Sequence, residues 1–204
     1  LASTTTPVND PSDLERVFIR TGSGAMIPLS AIVTLEERAV PPEAACVLDI
    51  GSGTGLLLPH LLSLRPGLRE VVEVDLAEAM LREARAKGGD RIRFLCADAV
   101  RLPLAEASFD TVLCFGVLPH VHDLDAACRC FLSALKPGGV LAVGHMMDSA
   151  TLNDFHAALD GPVSGDRIEP AASLAARLEA LGARVETVEE ETGWYYVAVS
   201  RKDS

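Results

Sequence analysis

Five short apolar segments recur through the middle of the chain and alternate with helical patterns. The segments are 46–50 (CVLDI), 71–75 (VVEVD), 92–96 (IRFLC), 110–115 (DTVLCF) and 139–144 (GVLAVG). Short runs that are almost wholly apolar indicate strands buried on both faces, and parallel strands require long, usually helical connections. The alternation therefore predicts an α/β fold in which helices cover both sides of a parallel sheet.

The C-terminal part of the chain interrupts this alternation. A helix predicted at about 170–181 leads into a strand at 183–189, and a second strand follows at 194–200 (WYYVAVS). The connection between these strands ends in Thr192-Gly193 and is too short for a parallel crossover. The last strand is therefore predicted to run antiparallel to its neighbour.

The length and composition of the chain fit one domain. With 204 residues and 49% hydrophobic content, it can bury a core without disulfides or metals. Helical patterns begin at Ser12 or Asp13 and at about Pro28, and the second ends before Pro41. The predicted divisions are 1–45, an N-terminal helical cap within the same domain, 46–204, the main part of the domain, and a short insertion at about 145–169.

A glycine-rich sequence, VLDIGSGTG at 47–55, includes most of the first predicted strand and the residues after it. Its glycines at 51, 53 and 55 allow a tight turn and close approach of a ligand, and the next helix presents its N-terminus. A dinucleotide-binding fingerprint would place its third glycine at position 56, which is Leu56. The spacing therefore favours S-adenosylmethionine (SAM) over NAD.

Three further motifs follow in order: VVEVDLAEAML at 71–81, FLCADAVRLPLAEASFDTVLCFGVLPHV at 94–121, and LKPGGVLAV at 135–143. With the glycine motif, they make the segment from about Cys46 to Gly144 resemble the class I SAM-dependent methyltransferases, particularly the branch similar to ubiquinone and menaquinone C-methyltransferases. The resemblance implies a Rossmann-like, doubly wound, three-layer α/β/α fold with strand order 3-2-1-4-5-7-6 and strand 7 antiparallel. It also implies SAM as cofactor and S-adenosyl-L-homocysteine as product.

The resemblance also implies roles for the acidic residues. It assigns Asp75 to the ribose hydroxyls and Asp98 to the adenine amino group, and carboxylates just past parallel strands do lie where such sheets bind ligands. The structural alternatives are a helix N-cap for Asp75 and a capped turn for Asp98, while Asp49 either contacts the cofactor through water or braces the loop. The full predicted cofactor set is Asp49, Gly51, Ser52, Gly53, Gly55, Asp75, Leu76, Met80, Asp98, Ala99, Phe115 and Gly116.

Methyl transfer depends more on in-line approach of the acceptor than on a protein nucleophile, so positioning can supply much of the rate. A general base would help if the acceptor is an acidic carbon, a phenol or an amine. The alternative role for His120 is bracing of its loop. The predicted catalytic candidates after strands four and five are His120, His145 and Asp148, and His122 and His156 are considered beside them.

The acceptor pocket is predicted to combine residues 12–40 with the insertion. Met146 and Met147 suit either an adaptable apolar wall or ordinary core packing. So small a cap favours a small-molecule methyl acceptor over a folded protein. Arg20 and the stretch 21–24 are expected to act as a lid over the carboxylate of the cofactor.

Charge and cysteine usage narrow the partners and the compartment. The formal net charge of −11 argues against nucleic acid and anionic membranes, which are bound largely through Lys and Arg. The longest apolar runs are much shorter than the roughly 20 residues that span a bilayer. With this, the five cysteines indicate a reduced, cytoplasmic protein. No metal site is predicted, because Cys128 and Cys130 would point apart on a helix, although a thiol-dependent metalloid methyltransferase stays a minor alternative.

The sequence leaves several possibilities open. Monomer and homodimer are equally compatible with it. A SAM-binding module without catalysis, such as a sensor or an inactive partner subunit, would keep the same glycine and acid motifs. A nucleotide- or NAD-dependent enzyme on a related fold is disfavoured by Leu56 and by the missing Walker lysine.

Overall fold

The structure, a computed structural model, describes residues 18–20, 26–28 and 38–203. The chain forms two compact units, Leu1–Arg38 and Ala39–Ser204. In the part of the chain that is described, no helix combines the length and the apolar character that crossing a membrane requires.

The described part of the first unit is a short β-hairpin. Strand β1 (Phe18–Arg20) pairs antiparallel with β2 (Met26–Pro28), with Ile19 opposite Ile27. The prediction of helix at 18–20 is therefore wrong, because the Thr-Gly-Ser-Gly sequence that we interpreted as a helix end also suits the loop of a hairpin. Apart from these two strands and residues 38–45, the predicted cap, including the lid stretch 21–24, lies outside the described residues.

The second unit contains a seven-stranded mixed sheet. Its strands are β3 (Cys46–Ile50), β4 (Glu70–Asp75), β5 (Ile92–Cys96), β6 (Phe109–Phe115), β7 (Leu135–His145), β8 (Ala183–Glu191) and β9 (Trp194–Arg201). Their order in the sheet is β5-β4-β3-β6-β7-β9-β8. The predicted order 3-2-1-4-5-7-6 is confirmed.

The strand directions also agree with the prediction. Strands β3 to β7 are parallel to one another, with Leu48 on β3 between Val72 on β4 and Val112 on β6. Strand β9 runs antiparallel to both β7 and β8, with Val143 opposite Val197. The hairpin of β8 and β9 was predicted from its short connection alone, and it is confirmed.

Helices connect β3 to β4, β4 to β5, β6 to β7 and β7 to β8. They are α1 (Leu58–Leu64), α2 (Glu78–Ala84), α3 (Leu124–Ala134), α4 (Ser149–Ala157) and α5 (Ala171–Ala180), with single 3₁₀ turns at Arg85–Lys87, Leu118–His120 and Pro162–Gly165. Alternate residues of a strand point to opposite faces of a sheet. Leu48 and Ile50 accordingly pack in one core with Phe131 of α3 and Leu174 of α5, while Asp49 points to the opposite face.

Helix α4 lies in the segment predicted only as an insertion. Asp148 caps it by accepting a hydrogen bond from the backbone N–H of Thr151, and Ser149, Leu152 and His156 are its buried residues. An aspartate followed by buried residues three and four apart is the ordinary pattern of a capped helix. The two histidines and the Gly-Pro sequence in this segment directed the interpretation toward a loop.

Candidate functional site

The glycine motif forms a tight turn at the C-terminal end of β3. The backbone N–H groups of Gly51 and Ser52 both donate to the carbonyl oxygen of Val74, at 2.8 and 3.0 Å, which ties the turn to the neighbouring strand β4. Gly51, Gly53 and Gly55 have φ values of +70°, +56° and +68°. Residues with a Cβ rarely adopt this left-handed conformation, so the motif needs its glycines for the backbone path itself.

Asp75 at the end of β4 supports this turn. Its Oδ2 accepts a hydrogen bond from the backbone N–H of Gly53 at 2.8 Å, and its Oδ1 accepts one from the N–H of Ala77, also at 2.8 Å. The predicted alternative of an N-cap is close to what is seen, although the N-cap residue of α2 is Ala77. Each carboxylate oxygen has a second lone pair, so both remain able to accept from a ligand hydroxyl.

A cavity opens at the C-terminal ends of β3, β4 and β5, against the turn that follows β6. The residues that line it are Ile50, Gly51, Val74, Asp75, Leu76, Ala97, Asp98, Ala99, Val117, His120, Val121 and His122. The structure thus brings together Gly51, Asp75, Leu76, Asp98 and Ala99 of the predicted cofactor set. His120 of the predicted catalytic set lies in the same wall.

The wall also contains apolar residues that sequence reasoning missed. Val117 and Val121 flank the 3₁₀ turn Leu118–His120 after β6, and neither differs by type or spacing from an ordinary core valine. Leu76 lies beside Asp75 and is 72% exposed, which is unusual for a large apolar side chain. The cavity therefore pairs two carboxylates with apolar surface, as expected for a site that binds a small organic molecule.

Asp98 lies on the loop after β5. Its Oδ1 accepts a hydrogen bond from the backbone N–H of Val100 at 3.1 Å, and the N–H of Arg101 donates to the Asp98 carbonyl oxygen at 3.0 Å. This is the capped turn that was the structural alternative. The second carboxylate oxygen is not required by the turn, so turn formation and ligand binding are compatible at this residue.

Seven predicted cofactor residues lie outside the cavity wall: Asp49, Ser52, Gly53, Gly55, Met80, Phe115 and Gly116. The glycine turn contains three of them, and Gly55 is packed so closely that a Cβ there would lie 3.0 Å from the Cβ of Ala84. Met80 is 42% exposed on α2, and Gly116 donates its N–H to the carbonyl oxygen of Gly144 at 3.0 Å. Their role toward the cofactor stays a prediction.

A buried carboxylate pair lies below the glycine turn. Asp49 and Glu73 are register partners on β3 and β4, so they point to the same face of the sheet, and they are 2% and 0% exposed. Burial raises the pKa of Glu73 to about 7, against the opposite effects of the Ser52 hydroxyl and of Lys87. Lys87 is fixed above this pair because its Nζ donates to the carbonyl oxygen of Thr54 at 2.7 Å. Glu73 was not singled out from the sequence.

The other two catalytic candidates have different surroundings. His145 ends β7; burial, with smaller contributions from His156 and His120, lowers its pKa to about 4. Its Nδ1 accepts a hydrogen bond from the backbone N–H of Met147 at 3.2 Å. Asp148 caps α4, and hydrogen bonds from the Thr151 N–H and hydroxyl lower its pKa. The Asp148 carboxylate therefore has a structural role in α4.

His120 has a partner in the insertion. Its Nδ1 lies 2.5 Å from Oδ2 of Asp166, the residue that follows the 3₁₀ turn Pro162–Gly165. The His120 ring also lies 5.3 Å from the ring of His156, centroid to centroid. The His120–Asp166 pair could not be predicted from local patterns, because 46 residues separate its members.

The cavity suits SAM in the chemistry of its lining. Two carboxylates provide acceptors for hydroxyl and amino groups, half-buried backbone at a glycine turn allows close approach, and apolar side chains offer a surface for a purine ring. These groups meet at the C-terminal edge of the parallel strands, beside the central strand β3, where open α/β sheets bind ligands.

Comparison with known proteins agrees with this site. Residues 48–143 match the protein family described as Methyltransferase domain. A ubiquinone/menaquinone biosynthesis C-methyltransferase of Idiomarina loihiensis is 41% identical over 119 residues, which cover 54% of this chain and 47% of that protein. A demethylmenaquinone methyltransferase of Roseiflexus castenholzii is 35% identical over 141 residues, 63% of this chain and 58% of that protein. The chain thus spans about half the length of the curated relatives it matches.

Solved structures show the same fold at low sequence identity. A SAM-dependent methyltransferase of Mesorhizobium loti superposes with a TM-score of 0.67 at 20% identity, covering 84% of this chain and 97% of that one. The cyclase SpnF gives a TM-score of 0.70 at 20% identity, covering 92% of this chain and 87% of its own. The family match over residues 48–143, the curated relatives and the sheet order agree: this part of the chain is a methyltransferase domain similar to those of the class I SAM-dependent methyltransferases.

Proposed function

We propose that this protein binds SAM in the cavity at the ends of β3, β4 and β5 and catalyses transfer of its methyl group to a small-molecule acceptor. The observation that carries the proposal is the meeting of the glycine turn with two carboxylates, Asp75 and Asp98, in one cavity wall. These residues are far apart in sequence but adjacent in the fold, and each is of the type that the family uses for the cofactor.

The chain's own residues have distinct parts in this proposal. Asp75 accepts hydrogen bonds from the ribose hydroxyls while it holds the Gly53 N–H. Asp98 accepts from the adenine amino group, and the glycine turn leaves room for the methionine portion. SAM supplies a methyl group on a positively charged sulfur. The protein contributes mainly by fixing the approach of the acceptor and by excluding water. Such positioning supplies much of the rate enhancement of a bimolecular transfer.

We propose an aromatic small molecule as the first acceptor class to test. Two curated relatives are named as a ubiquinone/menaquinone biosynthesis C-methyltransferase and a demethylmenaquinone methyltransferase. The valines and Leu76 of the cavity wall offer apolar surface for an aromatic ring. The net charge of −11 supports a small acceptor over nucleic acid. All five cysteines are free, which supports the expectation of a reducing, cytoplasmic environment.

Calorimetric titration of SAM and S-adenosylhomocysteine tests the binding half of the proposal. Asp75→Asn is expected to weaken affinity by about 10- to 150-fold, which corresponds to about 1.5–3 kcal/mol for hydrogen bonds to a charged group. Because Asp75 also holds the glycine turn, Asp98→Asn is measured beside it, and Asp90→Asn on an exposed turn is the matched control. Wild-type protein that is folded but binds neither ligand would exclude the proposal.

Turnover separates an enzyme from a non-catalytic SAM-binding module. SAM labelled in its methyl group is incubated with the protein and naphthohydroquinone, an aromatic diol that offers both oxygen and ring carbon. Transfer of label to this probe supports the proposed function, and mass spectrometry locates the methyl group. Tight SAM binding with no label transferred to this probe or to a panel of phenols and amines supports the binding module.

A further inference from the structure

A histidine and an aspartate from distant parts of the chain meet at the edge of the cofactor cavity. His120 Nδ1 and Asp166 Oδ2 are 2.5 Å apart, and the two side chains are 40% and 25% exposed. A carboxylate on Nδ1 selects the tautomer that carries its proton there, which leaves a lone pair on Nε2. His120 therefore offers an accepting nitrogen at the wall of the cavity.

The position of Asp166 is itself fixed by its surroundings. Its backbone N–H donates to the carbonyl oxygen of Val163 at 3.1 Å, within the preceding 3₁₀ turn. Its carbonyl oxygen accepts from Arg167 Nη1 at 2.8 Å and lies 3.2 Å from Nδ1 of His156, a buried residue of α4. The carboxylate is thus presented to His120 by a segment attached to α4.

We propose that the His120–Asp166 pair is the general base of the methyl transfer, with Asp166 as the positioning residue, and that the acceptor carries a phenol-type hydroxyl. This inference rests on the proposed function. An amine acceptor is nucleophilic in its neutral form, whereas a phenol becomes a strong nucleophile at oxygen, or at the neighbouring ring carbon, only when its hydroxyl proton is removed.

The proton and electron balance of the step is complete without a further reactant. When oxygen is the nucleophile, the acceptor forms a bond to the methyl carbon as the carbon–sulfur bond breaks, and the electron pair of that bond stays on sulfur. The hydroxyl proton passes to His120 Nε2, and the carboxylate of Asp166 stabilises the resulting imidazolium. When a ring carbon is methylated, the same hydroxyl proton leaves first, and loss of the ring proton to water restores the aromatic ring.

The charged and titratable groups around His120 favour this role. Asp166 and His156 face it from the insertion, His145 faces it from β7, and Asp75, Asp98 and His122 lie in the same cavity wall. Burial, with smaller effects of His156 and His120, lowers the pKa of His145 to about 4, so this neighbour is neutral and adds no positive charge near a protonated His120.

The first test reads the tautomer of His120 directly and needs no acceptor. Nitrogen-15 NMR of the histidine rings, in protein with bound S-adenosylhomocysteine and without it, should show a proton on Nδ1 and a free Nε2 in neutral His120. In Asp166→Leu, no side-chain group accepts from Nδ1, so the proton should shift toward Nε2, the tautomer that an unpaired neutral imidazole favours. A proton on Nε2 in the wild type, or no change in Asp166→Leu, overturns the assignment.

The second test uses methyl transfer to naphthohydroquinone. His120→Asn should lower kcat by about 100- to 10,000-fold with little change in KM for SAM. Asp166→Asn should also lower kcat, whereas Asp166→Glu, which keeps the carboxylate, should retain more of it. Asp160→Asn, an exposed residue of the same segment, is the matched control.

The outcomes distinguish this inference from the proposed function. Full kcat in both His120→Asn and Asp166→Asn, with transfer intact in the wild type, overturns the general base and leaves the methyltransferase standing. If the wild type transfers methyl groups only to amines, the proposed acceptor class is wrong. If the wild type binds SAM but transfers no methyl group, the proposed function fails, and the NMR measurement still decides whether the pair exists.

Discussion

Gly51 lies so close to Val117 that a Cβ atom on the glycine would be only 2.5 Å from the Cβ of the valine. The contact joins the glycine turn after β3 to the loop after β6, and both residues line the cofactor cavity. The backbone of the glycine turn therefore packs directly on the side chain of Val117. The width of the cavity at this point depends on the absence of a side chain at position 51.

We expect Gly51→Ala to reduce both stability and SAM affinity. The φ of +70° at Gly51 costs an alanine roughly 1–2 kcal/mol, and the overlap with Val117 adds about 1–3 kcal/mol. Gly53→Ala is the comparison, since Gly53 has a φ of +56° with open space around its would-be Cβ and should show the first cost alone. Urea unfolding and calorimetric titration measure the two effects. Equal losses in the two variants would contradict the packing argument.

Asp110 links three strands at the edge opposite the cavity. Its Oδ2 accepts from the backbone N–H groups of Ala45 and Cys46 at 2.9 and 2.8 Å, and its Oδ1 accepts from Lys136 Nζ at 2.7 Å. Burial opposes ionisation, but these hydrogen bonds outweigh it and lower the pKa of Asp110. The ionised carboxylate thus fixes the start of β3 to β6 and β7.

Asp110→Asn is expected to destabilise the fold by about 1–3 kcal/mol, because an amide replaces one of the two accepting oxygens. Since the folded pKa is lowered, the contribution of Asp110 is present above its unfolded pKa and is lost as the pH falls through the folded one. The difference between wild type and variant in urea unfolding should therefore shrink in acid. Lys136→Met, which removes only the partly exposed ion pair, should cost less; a larger cost would show that the lysine dominates.

Most of the sheet could be predicted from the sequence, because the features that determine its strands are local. Predicted and observed limits coincide for Cys46–Ile50, which Gly51 follows, and for Ile92–Cys96, which Arg91 precedes. The antiparallel last strand followed from the length of one connection. These features depend on periodicity and chain length, which a single sequence carries in full.

The parts that could not be predicted depend on contacts across long sequence separations. Asp166 was missed because only the fold brings it to His120, whereas helix α4 was missed although a local signal, Asp148, marks its start. Glutamate is usually an exposed residue, yet Glu73 is fully buried beside Asp49. Local patterns do not show which polar residue will be enclosed, since that is decided by what packs over it.

Glu190 gives a further test because it connects two helix starts. Its Oε1 accepts from the backbone N–H of Ser149 at 2.8 Å, and its Oε2 accepts from that of Ala171 at 2.7 Å. These are the first residues of α4 and α5, and Pro170, the N-cap of α5, has no capping side chain. A carboxylate at helix N-termini is favoured by hydrogen bonding and by the helix dipole.

We expect Glu190→Gln to lower the free energy of unfolding by about 1 kcal/mol, a modest value because the side chain is largely exposed. The hydrogen bonds from Ser149 and Ala171 outweigh burial and lower the pKa of Glu190. The loss should therefore be visible at neutral pH and disappear as the pH falls through the folded pKa. Glu191→Gln, at the end of the same strand, is the control, and an equal effect there would refute the capping role.

Glu73 should make the stability of the fold depend on pH in the opposite sense. Burial raises its pKa from 4.5 to about 7, so the folded state retains a proton that the unfolded state has lost between these values. Stability is therefore expected to fall as the pH rises from about 4.5 to about 7 and to level off above, by at most about 3 kcal/mol.

Glu73→Gln, which is neutral at every pH and similar in shape, should remove this dependence. The free energy of unfolding of the variant, relative to that of the wild type, should therefore increase as the pH rises from about 4.5 to about 7. Glu70→Gln on the same strand is the control, because Glu70 pairs with Arg93 at the surface. Urea unfolding at a series of pH values measures the slopes. Parallel curves for wild type and Glu73→Gln would mean that Glu73 is ionised under the glycine turn, with Lys87 compensating its charge from above.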